Sequence, residues 1–108
     1  MSLESNLIAI LAFTKLPCEQ NAYHGAANKY LVFNITTIPA DYADDEPHYE
    51  RCLVMLHLFA PLNDNTTELK NAIKKAIFAA GYGYPQSTPA SDASSQHIIF
   101  EFEALWPV

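Results

Sequence analysis

The spacing of hydrophobic positions changes along the chain, and each change marks an element. Leu3, Leu7, Ile10 and Leu11 recur on one helical face, Ser2 stands where an N-cap belongs, and Pro17 marks a stop. Cys18 to His24, bounded by Gly25, reads as a strand entering a turn. From Lys29 to Ile38 the pattern alternates: Leu31, Phe33 and Ile35 point one way, Tyr30, Val32, Asn34 and Thr36 the other. Pro39 is expected to end that strand, followed by a polar loop from Ala40 to Pro47 that holds Asp41, Asp44, Asp45 and Glu46. Tyr49 to Ala60 is the most apolar segment. Cys52, Val54, Leu56 and Leu58 form one clean core face, and Leu53, Met55, His57 and Phe59 make the other face nearly as apolar. A strand apolar on both sides is either sandwiched or lies at a contact with another chain.

Asn65 is expected to open a second helix, with Glu68 as its capping-box partner. Leu69, Ala72, Ile73, Ala76, Ile77 and Ala80 form its buried stripe, Lys70, Lys74 and Lys75 fall on the outer side, and Gly81 is the C-terminal stop. Tyr82 to Ser95 has no strong period and reads as a long hairpin arm or loop. Gln96 to Leu105 alternates again, Ile98, Phe100 and Phe102 inward and His97, Glu101 and Glu103 outward. The order is α-β-β-β-α-β-β. The second and third strands are joined too closely for a helical crossover, so they pair antiparallel. The expected fold is α+β: one domain over residues 1–108, a mainly antiparallel sheet of four to five strands with two helices packed on one face.

Charge and composition narrow the function. Twelve Asp and Glu against six Lys and Arg give a formal charge of -6, which argues against binding a phosphate backbone. No run approaches the ~20 apolar residues of a membrane helix, and no leader pattern opens the sequence. A cytoplasmic protein is therefore expected. Cys18 and Cys52 lack CxxC spacing and are expected to be buried thiols in a reducing compartment.

Tests for chemistry return little. The acidic segment from Asp41 to Glu46 lacks the Asp-x-Asp-x-Asp-Gly pattern and distal Glu of a calcium loop, and reads as a solvated turn or a partner contact. His24, His48, His57 and His97 show no HxxxH spacing; His57 and His97, both on the less buried faces of their strands, suit a shared edge or interface better than a ligand set. There is no GxSxG elbow, and Gly81-Tyr-Gly83 lacks the Lys-Ser/Thr and following helix of a phosphate cradle. The expectation is a protein that is not an enzyme and uses no cofactor or metal, with no membrane partner and no sequence-specific nucleic acid.

Two segments carry a resemblance. Asn21-Ala-Tyr-His-Gly-Ala-Ala-Asn-Lys-Tyr30-Leu-Val-Phe33, following a helix that ends in a proline, resembles minor tail proteins of tailed bacteriophages and prophages. Asp41-Tyr-Ala-Asp-Asp-Glu-Pro47, followed by a strand ending in Leu58-Phe-Ala60, resembles the same proteins, and Tyr42 to Pro47 is the most specific part. The resemblance spans roughly residues 3 to 105 and departs from the family at Tyr82 to Ser95, which is rich in Ser and Pro where a charged hairpin is expected. It implies a tail-completion, or tail-terminator, subunit without an active site. Such a subunit forms a ring, typically a hexamer, at the head-proximal end of the tail tube, and contacts tail-tube and head-connector proteins. It would reside in the bacterial host cytoplasm and then in the virion tail. The expected subunit interface comprises Asp44, Asp45, Glu46, Leu53, Met55, His57 and Phe59. The alternative is a stand-alone α+β ligand-binding or regulatory domain that dimerises through its sheet.

Overall fold

The computed structural model describes residues 2–43 and 46–107, with side chains except at 39–43, 46–50 and 107. Helix α1 (Leu3–Leu11) begins as expected: the Ser2 hydroxyl accepts from the Ser5 N–H at 3.1 Å, and Leu3, Leu7 and Leu11 form the buried stripe. A 3-10 turn, Ala12–Thr14, finishes it. Strand β1 is only Cys18–Gln20, shorter than the expected Cys18 to His24, because Asn21 turns the chain away with φ of 70°, a left-handed conformation that Asn tolerates. The remaining elements are β2 (Tyr30–Ala43), β3 (Glu46–Ala60), α2 (Thr67–Ala79), β4 (Gln86–Pro89) and β5 (Gln96–Pro107). They form the expected α+β fold, with a five-stranded sheet in the order β1-β2-β3-β5-β4. β1 pairs parallel to β2 and the other neighbours are antiparallel.

Pro39 does not end β2, and the reason lies in main-chain parity. The Leu31 N–H donates to the Pro17 carbonyl, and the Phe33 carbonyl accepts from Asn21. Odd-numbered residues of β2 therefore turn their polar groups away from β3. The register runs in step from Tyr30↔Phe59 to Ala43↔Glu46, so the N–H that Pro39 lacks is one the β2–β3 ladder never uses. The expected loop from Ala40 to Pro47 becomes the end of a long hairpin. Asp44 and Asp45 lie outside the described residues.

Two other boundaries move. α2 starts at Thr67, with Thr66 in the cap position; Asn65 still serves the helix start, its side-chain oxygen accepting from the Thr67 N–H at 3.1 Å. Thr66 is buried and donates to the Gln96 side-chain oxygen at 3.1 Å, so a contact to β5 takes the hydroxyl that a cap would use. The stretch from Tyr82 to Ser95 holds β4, which pairs Gln86↔Glu101 through Pro89↔Ile98. Gly81 closes α2 as expected, at φ of 97°.

Both helices lie on one face of the sheet. Rows running across β2, β3 and β5, such as Leu31–Leu58–Ile98 and Phe33–Leu56–Phe100, join Leu3, Leu7, Leu11, Ile73 and Ile77 in one buried cluster. Cys52 is buried in it, and Cys18 packs against it, its thiol pushed up to about 11 by burial and by Glu19. β2 and β3 then run on as an arm, giving a molecule of 54 × 26 × 24 Å. Among the described residues no helix is long and apolar enough to cross a membrane.

Candidate functional site on the open face of the sheet

Because side chains alternate along a strand, the residues next to the core rows share the opposite face. Four rows matter there: Tyr30–Phe59–His97, Val32–His57–Ile99, Asn34–Met55–Glu101 and Thr36–Leu53–Glu103. Beyond them, Ile38–Arg51–Leu105 leads into the arm. Neither helix covers this face. Met55 is 37% exposed, and Leu53, His57, Phe59 and Ile99 are half-buried.

One end of the face is a continuous aromatic stack. Tyr23 lies on Tyr30 with ring centres 4.3 Å apart, Tyr30 on Phe59 at 5.0 Å, and Phe59 on His97 at 4.2 Å. Tyr23 is held by its hydroxyl, which accepts from the Ala27 N–H at 2.9 Å. A β-carbon at Gly25 would stand 2.2 Å from that hydroxyl, so the ring fits only over glycine. The Tyr23-x-Gly25 and Tyr30 spacing noted in the sequence is thus a local device for laying one aromatic ring on the next.

His57 and His97 complete the cluster. His57 Nδ1 and His97 Nε2 are 2.7 Å apart, a bond that needs one ring to donate and the other to accept, so two neutral imidazoles satisfy it and two imidazoliums break it. Desolvation holds both below the ordinary histidine range, aided at His57 by the charge of His97 and opposed at His97 by Asp92. Asp92 is itself lowered, by hydrogen bonds from Ser94 and Ser95.

The middle of the face is a shallow concavity of about 420 Å³, lined by Asn34, Thr36, Leu53, Met55, Glu101 and Glu103. Arg51 and Glu103 form an exposed ion pair at its edge, of the kind that contributes little to stability. Among the described residues no group of three or more His, Cys, Asp or Glu is placed to hold a metal ion.

Of the expected interface residues, Leu53, Met55, His57 and Phe59 do share one uncovered surface. The acidic part of the expected set is not described beside it. Asp44 and Asp45 lie outside the described residues, and Glu46 opens β3 opposite Ala43, with its side chain outside them too. Glu46 and Phe59 stand at the two ends of one 15-residue strand, about 40 Å apart at the usual rise. Tyr23, Tyr30, Val32 and Ile99 were missed as members of the face. The outward parity of Tyr30 and Val32 was legible, but their juxtaposition with His97 depends on strand order.

No family model and no curated protein matches the chain. A solved structure of a protein without a functional description matches 99% of this chain and 98% of its own, with a TM-score of 0.59 and 11% identity. At that identity the likeness shows a shared fold and nothing further.

Proposed function

We propose that this chain is a structural subunit that assembles with copies of itself, and that it acts as a tail-completion protein of a phage or prophage. In that reading its copies form a closed ring, a hexamer, at the head-proximal end of the tail tube. The ring lies between tail-tube and head-connector proteins, and the chain passes from the bacterial cytoplasm into the virion tail. The observation that carries self-assembly is the open sheet face, where Met55 is exposed and Leu53, His57, Phe59 and Ile99 are half-buried on a surface neither helix covers. Apolar patches of this kind mark contact surfaces, and a stable contact buries about 1,200–2,000 Å² in total. The tail assignment rests on the resemblance of the Asn21–Phe33 and Asp41–Pro47 segments, and the formal charge of -6 suits a ring through which DNA passes without adhering. Light scattering of the concentrated protein, with electron micrographs of it alone and mixed with tail-tube protein, tests both parts. Rings or capped tubes are expected, and a chain that stays monomeric in every mixture refutes them.

A second reading, a ligand-binding or regulatory domain dimerising through its sheet, draws on the concavity of about 420 Å³, a size that suits a small ligand. A dimer whose melting temperature rises with a small molecule favours it over the ring.

A further inference from the structure

The main-chain polar groups along the borders of the sheet bear on how copies meet. β1 pairs with β2 only from Leu31 to Phe33, and β4 with β5 only from Ile98 to Glu101. Beyond those points, among the described residues, no strand lies against the outer border of either β2 or β5. The two open windows stand at the same level: Asn34, Met55 and Glu101 form one row, and Ile38, Arg51 and Leu105 another. A proline limits each window, Pro39 on β2 and Pro107 on β5. Within the windows parity directs the N–H and C=O of Ile35, Thr37, Glu103 and Leu105 outward. Of these, the Glu103 carbonyl receives a long bond, 3.3 Å, from the Gly83 N–H.

Sheet borders are ordinarily blunted by shortness, charge or proline. β1 has three residues, and β4 has four and ends in Pro89. The β2 window reads Asn34-Ile-Thr-Thr-Ile38, uncharged and dominated by β-branched residues, a composition that favours strand addition. Ile38 is 43% exposed and Leu105 64%, both on the open face and at opposite borders of one row.

We propose that the β2 border of one copy pairs in parallel with the β5 border of the next, with Ile38 beside Leu105 and Thr37 beside Ala104 of the neighbouring copy. This rests on the self-assembly reading and adds a main-chain contact to the side-chain surface described there. The partner is a second copy because β2 and β5 run in the same direction and their windows share a level. A rotation about an axis along the strands, without a shift, then brings one to the other. Parity fixes the bonds, since in a parallel ladder a residue facing its neighbour is bracketed by two that face back. The Thr37 N–H donates to the Glu103 carbonyl, the Leu105 N–H to the Thr37 carbonyl, and the Glu103 N–H to the Ile35 carbonyl. The faces agree as well: Thr37 and Ala104 lie on the helix side, Ile38 and Leu105 on the open side. A cleft of about 500 Å³ runs beside the β5 window, between Glu103–Leu105 and Ala80–Gly83, and the Gly83 bond is the contact an incoming strand displaces. Each copy keeps one border of each kind, so the contact is heterologous and repeats until a ring closes.

Amide hydrogen exchange of the full-length chain, with light scattering on the same samples from dilute to concentrated, tests the pairing. On assembly the Thr37, Glu103 and Leu105 amides are expected to slow by at least about tenfold, while the Asn34 and Thr36 amides, bonded within each copy, are slow at every concentration. Leu105→Glu, whose carboxylate would face Arg51 across the strands, is expected to stay folded and to assemble at least about tenfold less tightly. An oligomer in which Thr37 and Glu103 exchange freely, or one that Leu105→Glu leaves intact, overturns the edge pairing and leaves self-assembly standing. A monomer at every concentration overturns both.

Discussion

Leu56 and Met55 are neighbours on β3 that face opposite ways, and exchanging each separates stability from assembly. Leu56 is 1% exposed, lies between Phe33 and Phe100 in its row, and belongs to the cluster that includes Ile73 and Ile77. Leu56→Ala removes three carbons, about 2.4 kcal/mol of transfer free energy at roughly 0.8 kcal/mol per carbon. The cavity left under two helices raises the cost to about 3–4 kcal/mol, within the range of buried Leu→Ala changes. Against the ~5–15 kcal/mol of a whole domain, and at about 2 kcal/mol per molar urea, the unfolding midpoint should fall by about 1.5–2 M. Met55 is 37% exposed and stands opposite Glu101, so Met55→Lys places a cation beside a carboxylate. Its cost in stability should stay within about 0.5 kcal/mol, yet a charge on the open face should raise the dissociation constant of the assembly at least about tenfold. Circular dichroism in urea is read at a concentration low enough for monomers, since assembly would otherwise stabilise the fold, and light scattering reads the assembly. A loss below about 2 kcal/mol for Leu56→Ala would sink the core assignment, taking the low end of such changes as the limit. Met55→Lys that assembles normally would remove the open face as an interface, and Met55→Lys that unfolds would mean the face is covered within one chain.

Stability should be level between about pH 6.5 and 8 and fall as pH drops below that window, because the unfolded chain takes up protons that the lowered His57 and His97 resist; urea titrations at pH 7.5 and 5.5 measure the drop, and a His57→Asn, His97→Asn double variant should flatten it. Gln96→Ala should cost about 1–3 kcal/mol, since its amide donates to the Pro61 and Asp64 carbonyls and its oxygen accepts from buried Thr66; an unchanged urea midpoint would show that these bonds hold nothing. Gly25→Ala should lift Tyr23 off Tyr30, read as a change in the aromatic circular dichroism with the far-ultraviolet spectrum intact. Calorimetric titration with calcium, magnesium and zinc should show no tight site, and micromolar, stoichiometric binding lost in Asp44→Asn plus Asp45→Asn would make the acidic segment a metal site.

The sequence by itself determined which way residues face. Alternation placed Leu31, Phe33, Ile35, Cys52, Val54, Leu56, Leu58, Ile98, Phe100 and Phe102 on the core side; Ile35 is half-buried against the cluster and the others are buried, because a period of two is a local property of extended backbone. Ser2 and Gly81 likewise marked helix ends through short-range bonding and backbone freedom. The sequence also showed that β3 is apolar on both faces. Only the tertiary structure decided what lies beside what. Pro39 stays inside β2 because its nitrogen faces away from β3, a fact about pairing that its neighbours in sequence do not carry. β1 stops at Gln20 because Asn21 turns there. Tyr30, Phe59 and His97 become one stack because β2, β3 and β5 are adjacent although a helix and a short strand separate the last two in sequence. That both helices pack on the same side, with neither over Leu53, Met55, His57 and Phe59, was decided the same way: Leu31, Phe33, Leu56 and Phe100 form the more apolar surface, and burying it removes the most hydrocarbon from water.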